Sequence, residues 1–258
     1  MKLLVCGQAG SRAQDFISYV VNDRLALDAG VLTGCFPLER QRQIRHVLLS
    51  HCHLDHVASL PLLTETLCAA SRDEQPCLTV YAGPYTLQQL RLHVFNNKLY
   101  PDVFGLAEQP GSSLSGRLAW KTLEKEKPVR FGSLEVVPVE LNHVVPCLGF
   151  VVREPGCAVA LVSDTGPTER VWELLQKEPD LKAVLVEVSF PNRLRALADV
   201  SAHLTPELLQ QELHKLNRAV KCLVVHVKLP YVAEIEQELQ AVDWPDIELA
   251  QPGQTYCW

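Results

Sequence analysis

Val47-Leu-Leu-Ser-His51-Cys-His53-Leu-Asp55-His56 sets an apolar, strand-like run directly before three histidines and an aspartate. Loops at strand ends are where a rigid scaffold displays chemistry. His51 and His53, two apart, can reach one metal ion, while Asp55 and His56 emerge from the following turn toward a second. Neutral imidazole and carboxylate are the ligands that zinc and its first-row neighbours prefer. The plain alternative is a histidine-rich polar loop with one residue capping a helix. That alternative leaves several polar groups near the core without compensation, so the ligand reading governs.

Outward from this block, β-branched runs at 2–6, 17–21, 25–28, 46–50 and 78–81 predict a strand-rich first half. Asn22-Asp23 reads as a hairpin turn, and Asp28-Ala29-Gly30 as a strand end with a glycine exit. Helical patterns follow over 59–70 and 84–95, the second opening with Pro84. Over 96–127 the periodicity fades through Pro110-Gly111 and a charged turn at Glu124-Lys-Glu-Lys127, which predicts an inserted loop region. The second half alternates strands at 134–141, 148–153, 158–163, 183–188 and 222–227 with helices at 168–177, 206–216 and 232–242. Two sheets in the middle with helices outside, a four-layer αββα sandwich of the α/β class, accommodate this succession. The two halves look like architectural repeats without a fixed-period sequence repeat, and residues 1–258 are expected to form a single domain.

Composition narrows the classes without choosing among them. The apolar fraction of 47% and charged fraction of 21% are ordinary for a globular protein. A formal net charge of −6 argues against a broad basic surface for extended nucleic acid. Two bound dications would still reverse the local field for a single anionic ligand. No apolar run is long enough for a membrane span or signal-peptide core, so no membrane partner and a cytoplasmic location are expected. The nine cysteines are scattered with no CxxC pair, which predicts reduced, packed thiols. Cys52, between two ligands, is expected to point away from them and pack.

The ligand block resembles the HxHxDH signature of the metallo-β-lactamase superfamily. With Val57 and the small Ser59 after it, it is also similar to class II cyclic-nucleotide phosphodiesterases. The resemblance continues at Leu141-Asn-His143, Leu161-Val-Ser-Asp164-Thr-Gly166 and Leu223-Val-Val-His226, each after a strand-like run. Singly, each of these reads as a hydrogen-bonded strand-end histidine or an ordinary turn; their joint order is what the superfamily pattern requires. The resemblance implies two divalent ions, zinc foremost, with manganese or iron admitted by the same ligands. His51, His53 and His143 would hold one ion, Asp55, His56 and His226 the other, and Asp164 would bridge them.

Superfamily resemblance alone leaves the substrate open. Val186-Glu187-Val-Ser-Phe190-Pro191-Asn192 and Ala198-Asp-Val-Ser201-Ala-His203-Leu204-Thr205-Pro206 resemble the Glu-x-Ser-Phe and Gly-His-Leu-Thr/Ser-Pro segments of class II phosphodiesterases. A similar pairing of Glu with a downstream His loop occurs in tRNA 3′-processing endonucleases. Without the resemblance, Thr205-Pro206-Glu207 is simply a good helix start. With it, the implied catalytic set is Asp55, Glu187 and His203, with His203 stabilising the phosphate or protonating the leaving 3′-oxygen and Glu187 holding and supporting its imidazole. The implied activity is hydrolysis of a small 3′,5′-cyclic nucleotide, cyclic AMP foremost, to the 5′-monophosphate. The rivals are an RNA 3′-processing nuclease, a thioesterase of the same fold, and a metal-binding scaffold without turnover. Two positions depart from the phosphodiesterase pattern: Ala202 stands where glycine is common, and Leu229 separates Lys228 from Pro230. The oligomeric state is left open, a homodimer included.

Overall fold

The computed structural model describes residues 1–7, 14–70 and 77–258. They form two compact units, an N-terminal one of residues 2–7, 16–70 and 77–123, and a C-terminal one of Met1 and residues 14–15 and 124–258. Each is built on its own mixed β-sheet with helices, the α/β architecture expected from the sequence.

In the N-terminal unit the strands are β1 (Lys2–Val5), β2 (Tyr19–Val21), β3 (Leu25–Leu27), β4 (His46–Leu49), β5 (Leu78–Ala82) and β6 (Leu118–Thr122), hydrogen bonded in sequence order. The first three are antiparallel, and β3 to β6 are parallel. The expected turn after β2 is present: Asn22 and Asp23 take left-handed backbone, φ 47° and 59°, which short polar side chains tolerate best. The helix Leu60–Ala70 packs its apolar residues Leu60, Leu63 and Leu67 into a core with Val47, Leu49 and Val80. Each such side chain withdrawn from water contributes about 1.5–3 kcal/mol. The stretch predicted as loop carries the helix Val103–Glu108 and the edge strand β6, whose half-exposed residues lack clean alternation.

In the C-terminal unit the sheet is made of β7 (Val129–Phe131), β8 (Leu134–Leu141), β9 (Cys147–Glu154), β10 (Cys157–Val162), β11 (Leu181–Glu187), β12 (Lys221–Val225) and β13 (Ile247–Leu249). They too lie in sequence order, antiparallel from β7 to β10 and parallel from β10 to β13. Both units thus repeat one plan, an antiparallel meander leading into parallel strands. The central strands are buried along their whole length, as Cys157–Val162 shows, because helices on a parallel sheet leave its strands no wet face. The helices Arg170–Gln176, Pro206–His214 and Val232–Leu239 contribute Trp172, Leu209 and Ile235 to the core. Three of the β-to-loop exits matter most. In an open α/β sheet, chemistry collects beyond the carboxyl ends of parallel strands, and Asp164, Glu187 and His226 stand at or just past the ends of β10, β11 and β12.

Candidate functional site

The N-terminal unit presents its ligand candidates just beyond β4. His51 follows the strand and His53 stands just before the one-turn helix Leu54–Val57, which carries Asp55 and His56. The rings of His51 and His53 lie 4.6 Å apart and those of His51 and His56 4.1 Å apart. Beneath them sits a residue that sequence reasoning took for a strand end. Asp28, wholly buried, accepts hydrogen bonds from His56 Nδ1 at 2.8 Å, from the Ser50 amide at 2.7 Å and from the Ser50 hydroxyl at 2.8 Å. The Ser50 hydroxyl in turn accepts from His51 Nδ1 at 3.0 Å. One buried carboxylate therefore sets the ring orientation of two histidines and leaves the Nε2 lone pair of each as the ligand atom, the arrangement that supports metal-bound imidazole.

Backbone approach tightens the same loop. A Cβ on Gly30 would stand 2.0 Å from the Asp55 carbonyl oxygen and 2.6 Å from the Ile17 amide nitrogen. Only glycine lets the strand exit lie against the turn that carries Asp55. Cys52 is half-buried, and burial pushes its thiol pKa up.

The C-terminal unit gathers its candidates from four strand ends. Asp164 is buried, with Oδ2 4.0 Å from His143 Nε2 and Oδ1 3.8 Å from His226 Nε2. Its two oxygens thus face different histidines, too far for hydrogen bonds but within the span of two metal–ligand bonds of roughly 2.0–2.2 Å each. His143 Nδ1 donates to the Ala202 carbonyl at 3.0 Å, and His226 Nδ1 to the Ser189 hydroxyl at 2.7 Å. Burial lowers the His143 pKa, against the opposing pull of that carbonyl and of Asp164, and favours the neutral imidazole that a metal needs.

Glu187 and His203 meet as the sequence pattern implies. His203 Nδ1 lies 2.7 Å from Glu187 Oε1. The same oxygen accepts from the Thr165 and Leu204 amides, both at 3.3 Å, while Oε2 accepts from the Ser189 amide at 2.9 Å. This buried carboxylate is fully satisfied, and its orientation is set by backbone. Burial works against a charged His203, but the Glu187 charge and hydrogen bond, helped by Asp164, raise its pKa above the ordinary imidazole value. The His203 ring stacks 5.7 Å from that of His226, and Asp164, His203 and His226 each bring a ligand atom within 4.8 Å of the others.

The loop that delivers His203 also starts a helix. The Thr205 hydroxyl caps Pro206–His214 by accepting from the Leu208 amide at 3.4 Å. Ala202 ends the helix Arg195–Ser201 in left-handed backbone, φ 51°, a conformation that glycine adopts without penalty. Asp28 and His226, each just past a strand end, share that backbone region at φ 60°, where strained residues collect at functional sites.

Several other polar residues have local partners. Asn96 accepts from the Lys98 and Leu99 amides, and Asn97 from the Asp102 amide. His214 Nε2 lies 3.3 Å from the Asp243 carbonyl oxygen. Lys228 turns inward, with Nζ 3.5 Å from His226 Nε2.

The donor set on these two sheets, imidazole with carboxylate, suits divalent zinc, manganese or iron. The chain belongs to the beta-lactamase superfamily, whose domain model matches residues 26–227. Over 205 residues it is 28% identical to a "Probable 3′,5′-cyclic-nucleotide phosphodiesterase" of Yersinia pestis, covering 70% of this chain and 55% of the relative. It is 24% identical over 230 residues to the Ribonuclease Z of Methanosarcina acetivorans, covering 75% of this chain and 73% of that one. Among solved structures, unliganded yeast PDE1 shares the fold at TM-score 0.77 and 18% identity, over 98% of both chains. The chain spans about half the length of the curated phosphodiesterases it matches. Among the described residues no helix is long and apolar enough to cross a membrane.

Proposed function

We propose that this chain is a two-metal phosphodiesterase that opens 3′,5′-cyclic nucleotides, cyclic AMP foremost, to 5′-monophosphates in the cytoplasm. The observation that carries the reading is the Glu187–His203 pair, 2.7 Å apart and adjoining Asp164 and His226. A thioesterase or a metal-binding scaffold gives that pair no task. The family domain over 26–227 encloses all seven ligand candidates. In this reading His51, His53 and His143 would hold one ion and Asp55, His56 and His226 the second, with Asp164 as the ligand they would share.

When bound, two divalent ions supply a water ionised near neutral pH and polarise the phosphoryl oxygens. The chain's own residues do the rest. Asp28, Ser50 and Ser189 orient imidazoles so that Nε2 faces outward from each support. Asp164 presents one oxygen to each side. His203, held by Glu187, gives its Nε2 proton to the departing 3′-oxygen, and the Glu187 charge stabilises the imidazolium before that transfer.

Specificity constants for cyclic AMP, cyclic GMP, a bis-aryl phosphodiester, a pre-tRNA and a thioester, measured on metal-loaded protein, test the reading. Cyclic nucleotides are expected to lead, and exclusive thioester turnover would sink it. The archaeal Ribonuclease Z relative gives the nuclease rival its basis, and cleavage of pre-tRNA with cyclic nucleotides untouched would establish that rival instead. His203→Ala should lower cyclic-nucleotide turnover by about 10²–10⁴-fold, the usual contribution of a positioned proton donor, with metal content unchanged. Asp164→Ala should lower metal occupancy as well as rate.

A further inference from the structure

Two thiols that the proposed chemistry does not use are brought into contact within the N-terminal unit. Cys68 lies near the end of the helix Leu60–Ala70, and Cys77 immediately precedes β5. Their Sγ atoms are 3.1 Å apart, and each residue is only 3% exposed. Cys68 also lines an open cavity of about 470 Å³, together with Thr64, Tyr100, Val103, Leu114 and Arg117. A small polar oxidant in this cavity can therefore meet Cys68, whereas Cys77 is not part of the lining.

We infer that Cys68 and Cys77 are an oxidisable dithiol, converted reversibly to a disulfide by a small hydroperoxide entering this cavity.

Hydrogen bonding prepares the pair. In the neutral state the Cys77 thiol donates to the Arg117 carbonyl at 2.9 Å. In the singly ionised state Cys68 donates to the Cys77 thiolate. That bond, aided by the Cys77 and Leu78 amides and the Arg117 charge, outweighs burial and brings Cys77 down to about 7. The same bond pushes the Cys68 thiol well up. The remaining proton lies between two sulfurs and belongs to the pair, so the anion can move to the sulfur that meets the oxidant.

The reaction balances with peroxide as the only oxidant. The shared proton passes to Cys77, and the Cys68 thiolate attacks one peroxide oxygen. The S–O bond forms as the O–O bond breaks, leaving a sulfenic acid and hydroxide. Hydroxide takes the Cys77 proton and becomes water. The Cys77 thiolate then attacks Cys68 sulfur, the S–S bond forms, the S–O bond breaks, and the second hydroxide recovers the proton first lost from the pair. Two thiols are oxidised by two electrons, and one peroxide is reduced to two waters. The product fastens the helix that follows the ligand turn to β5, the parallel neighbour of β4.

The test treats the full chain with hydrogen peroxide, quenches it in acid and maps cysteine-containing peptides. A peptide joining Cys68 to Cys77 is expected, with two thiols lost from the denatured chain, full reversal by dithiothreitol and a higher unfolding temperature for the oxidised form. Cys77→Ser should halt the reaction at a Cys68 sulfenic acid that dimedone captures. A second hydrogen-bonded thiol pair, Cys6 with Cys35, serves as the internal comparison. If Cys68 and Cys77 remain thiols while the exposed Cys257 is oxidised, or if peroxide joins Cys6 to Cys35 instead, the inference is overturned. The mapping of the unmutated chain decides the matter even where Cys77→Ser does not fold.

Discussion

The N-terminal unit holds His51, His53, Asp55 and His56 in one short turn after β4, whereas the C-terminal unit collects His143, Asp164, Glu187 and His226 from the ends of β8, β10, β11 and β12. Their supports differ accordingly. In the first, a single carboxylate, Asp28, and a single hydroxyl, Ser50, orient His51 and His56. In the second, each group is oriented by something different: a backbone carbonyl for His143, a hydroxyl for His226, and three amides for Glu187. The compact turn should therefore fail as a unit when its one support is removed. The distributed set should respond piecemeal.

Five substitutions would break or sharpen this contrast. Gly30→Ala is expected to be the most damaging, because the new Cβ meets backbone atoms that cannot rotate away. A loss of about 3 kcal/mol or more in denaturant unfolding is expected from such overpacking, together with loss of metal binding. Unchanged stability would mean that the turn is more compliant than its contacts indicate.

Asp28→Ala should weaken metal affinity by about 10–100-fold, the usual cost of removing a ligand's orienting partner, as read by competition with a chromogenic chelator. Ser189→Ala, which removes a hydroxyl set against His226 and His203 and leaves the amide hydrogen bond to Glu187 in place, should cost less. Equal losses for the two would dissolve the distinction between a shared support and separate ones.

Glu187→Gln keeps the shape of the side chain and removes the charge that raises the His203 pKa. In metal-free protein, the His203 imidazole followed by NMR should titrate at lower pH in the variant. A raised folded-state pKa means that the folded protein binds the proton more tightly than the unfolded chain. The stabilisation is complete below the ordinary imidazole pKa and disappears as pH rises through the raised value. The stability gap between wild type and variant should therefore be widest on the acid side and narrow toward neutral pH and above. A gap that widened with pH would contradict the charge assignment.

Ala202→Gly should have the smallest effect and the opposite sign. Relief of the left-handed backbone at φ 51° outweighs the entropy that glycine adds to the unfolded chain, for a net gain of about 0.5–1 kcal/mol. Destabilisation would show that the Ala202 methyl contributes packing beyond its backbone.

The same contrast explains what was legible beforehand. Three histidines and an aspartate in one turn advertise themselves, because the residues that act together are neighbours in the chain. Asp28 was passed over although its signal resembles that of Glu187, a carboxylate ending an apolar strand. The difference is that Glu187 lay in a recognisable family segment and Asp28 had only its burial to betray it. Ser50 and Ser189 carried no signal, since a serine beside a strand end is ordinary until an imidazole is placed against it. The helix Val103–Glu108 and β6 were read as loop because an edge strand with one partner needs no strict alternation of apolar residues. The hairpin at Asn22-Asp23 and the strand Leu134–Leu141 were read correctly, since turn chemistry and local periodicity suffice for them.

By itself, then, the chain's order of residues determined the α/β class, the candidate ligands and their family, because strand periodicity, turn residues and ligand spacing are local properties. Tertiary structure alone decided that Asp28 supports His56, that the Asp164 oxygens face separate histidines, and that Cys68 meets Cys77. Those relations join residues far apart in the chain through strand register and parallel neighbours, and only the folded sheets bring their side chains within a few ångströms.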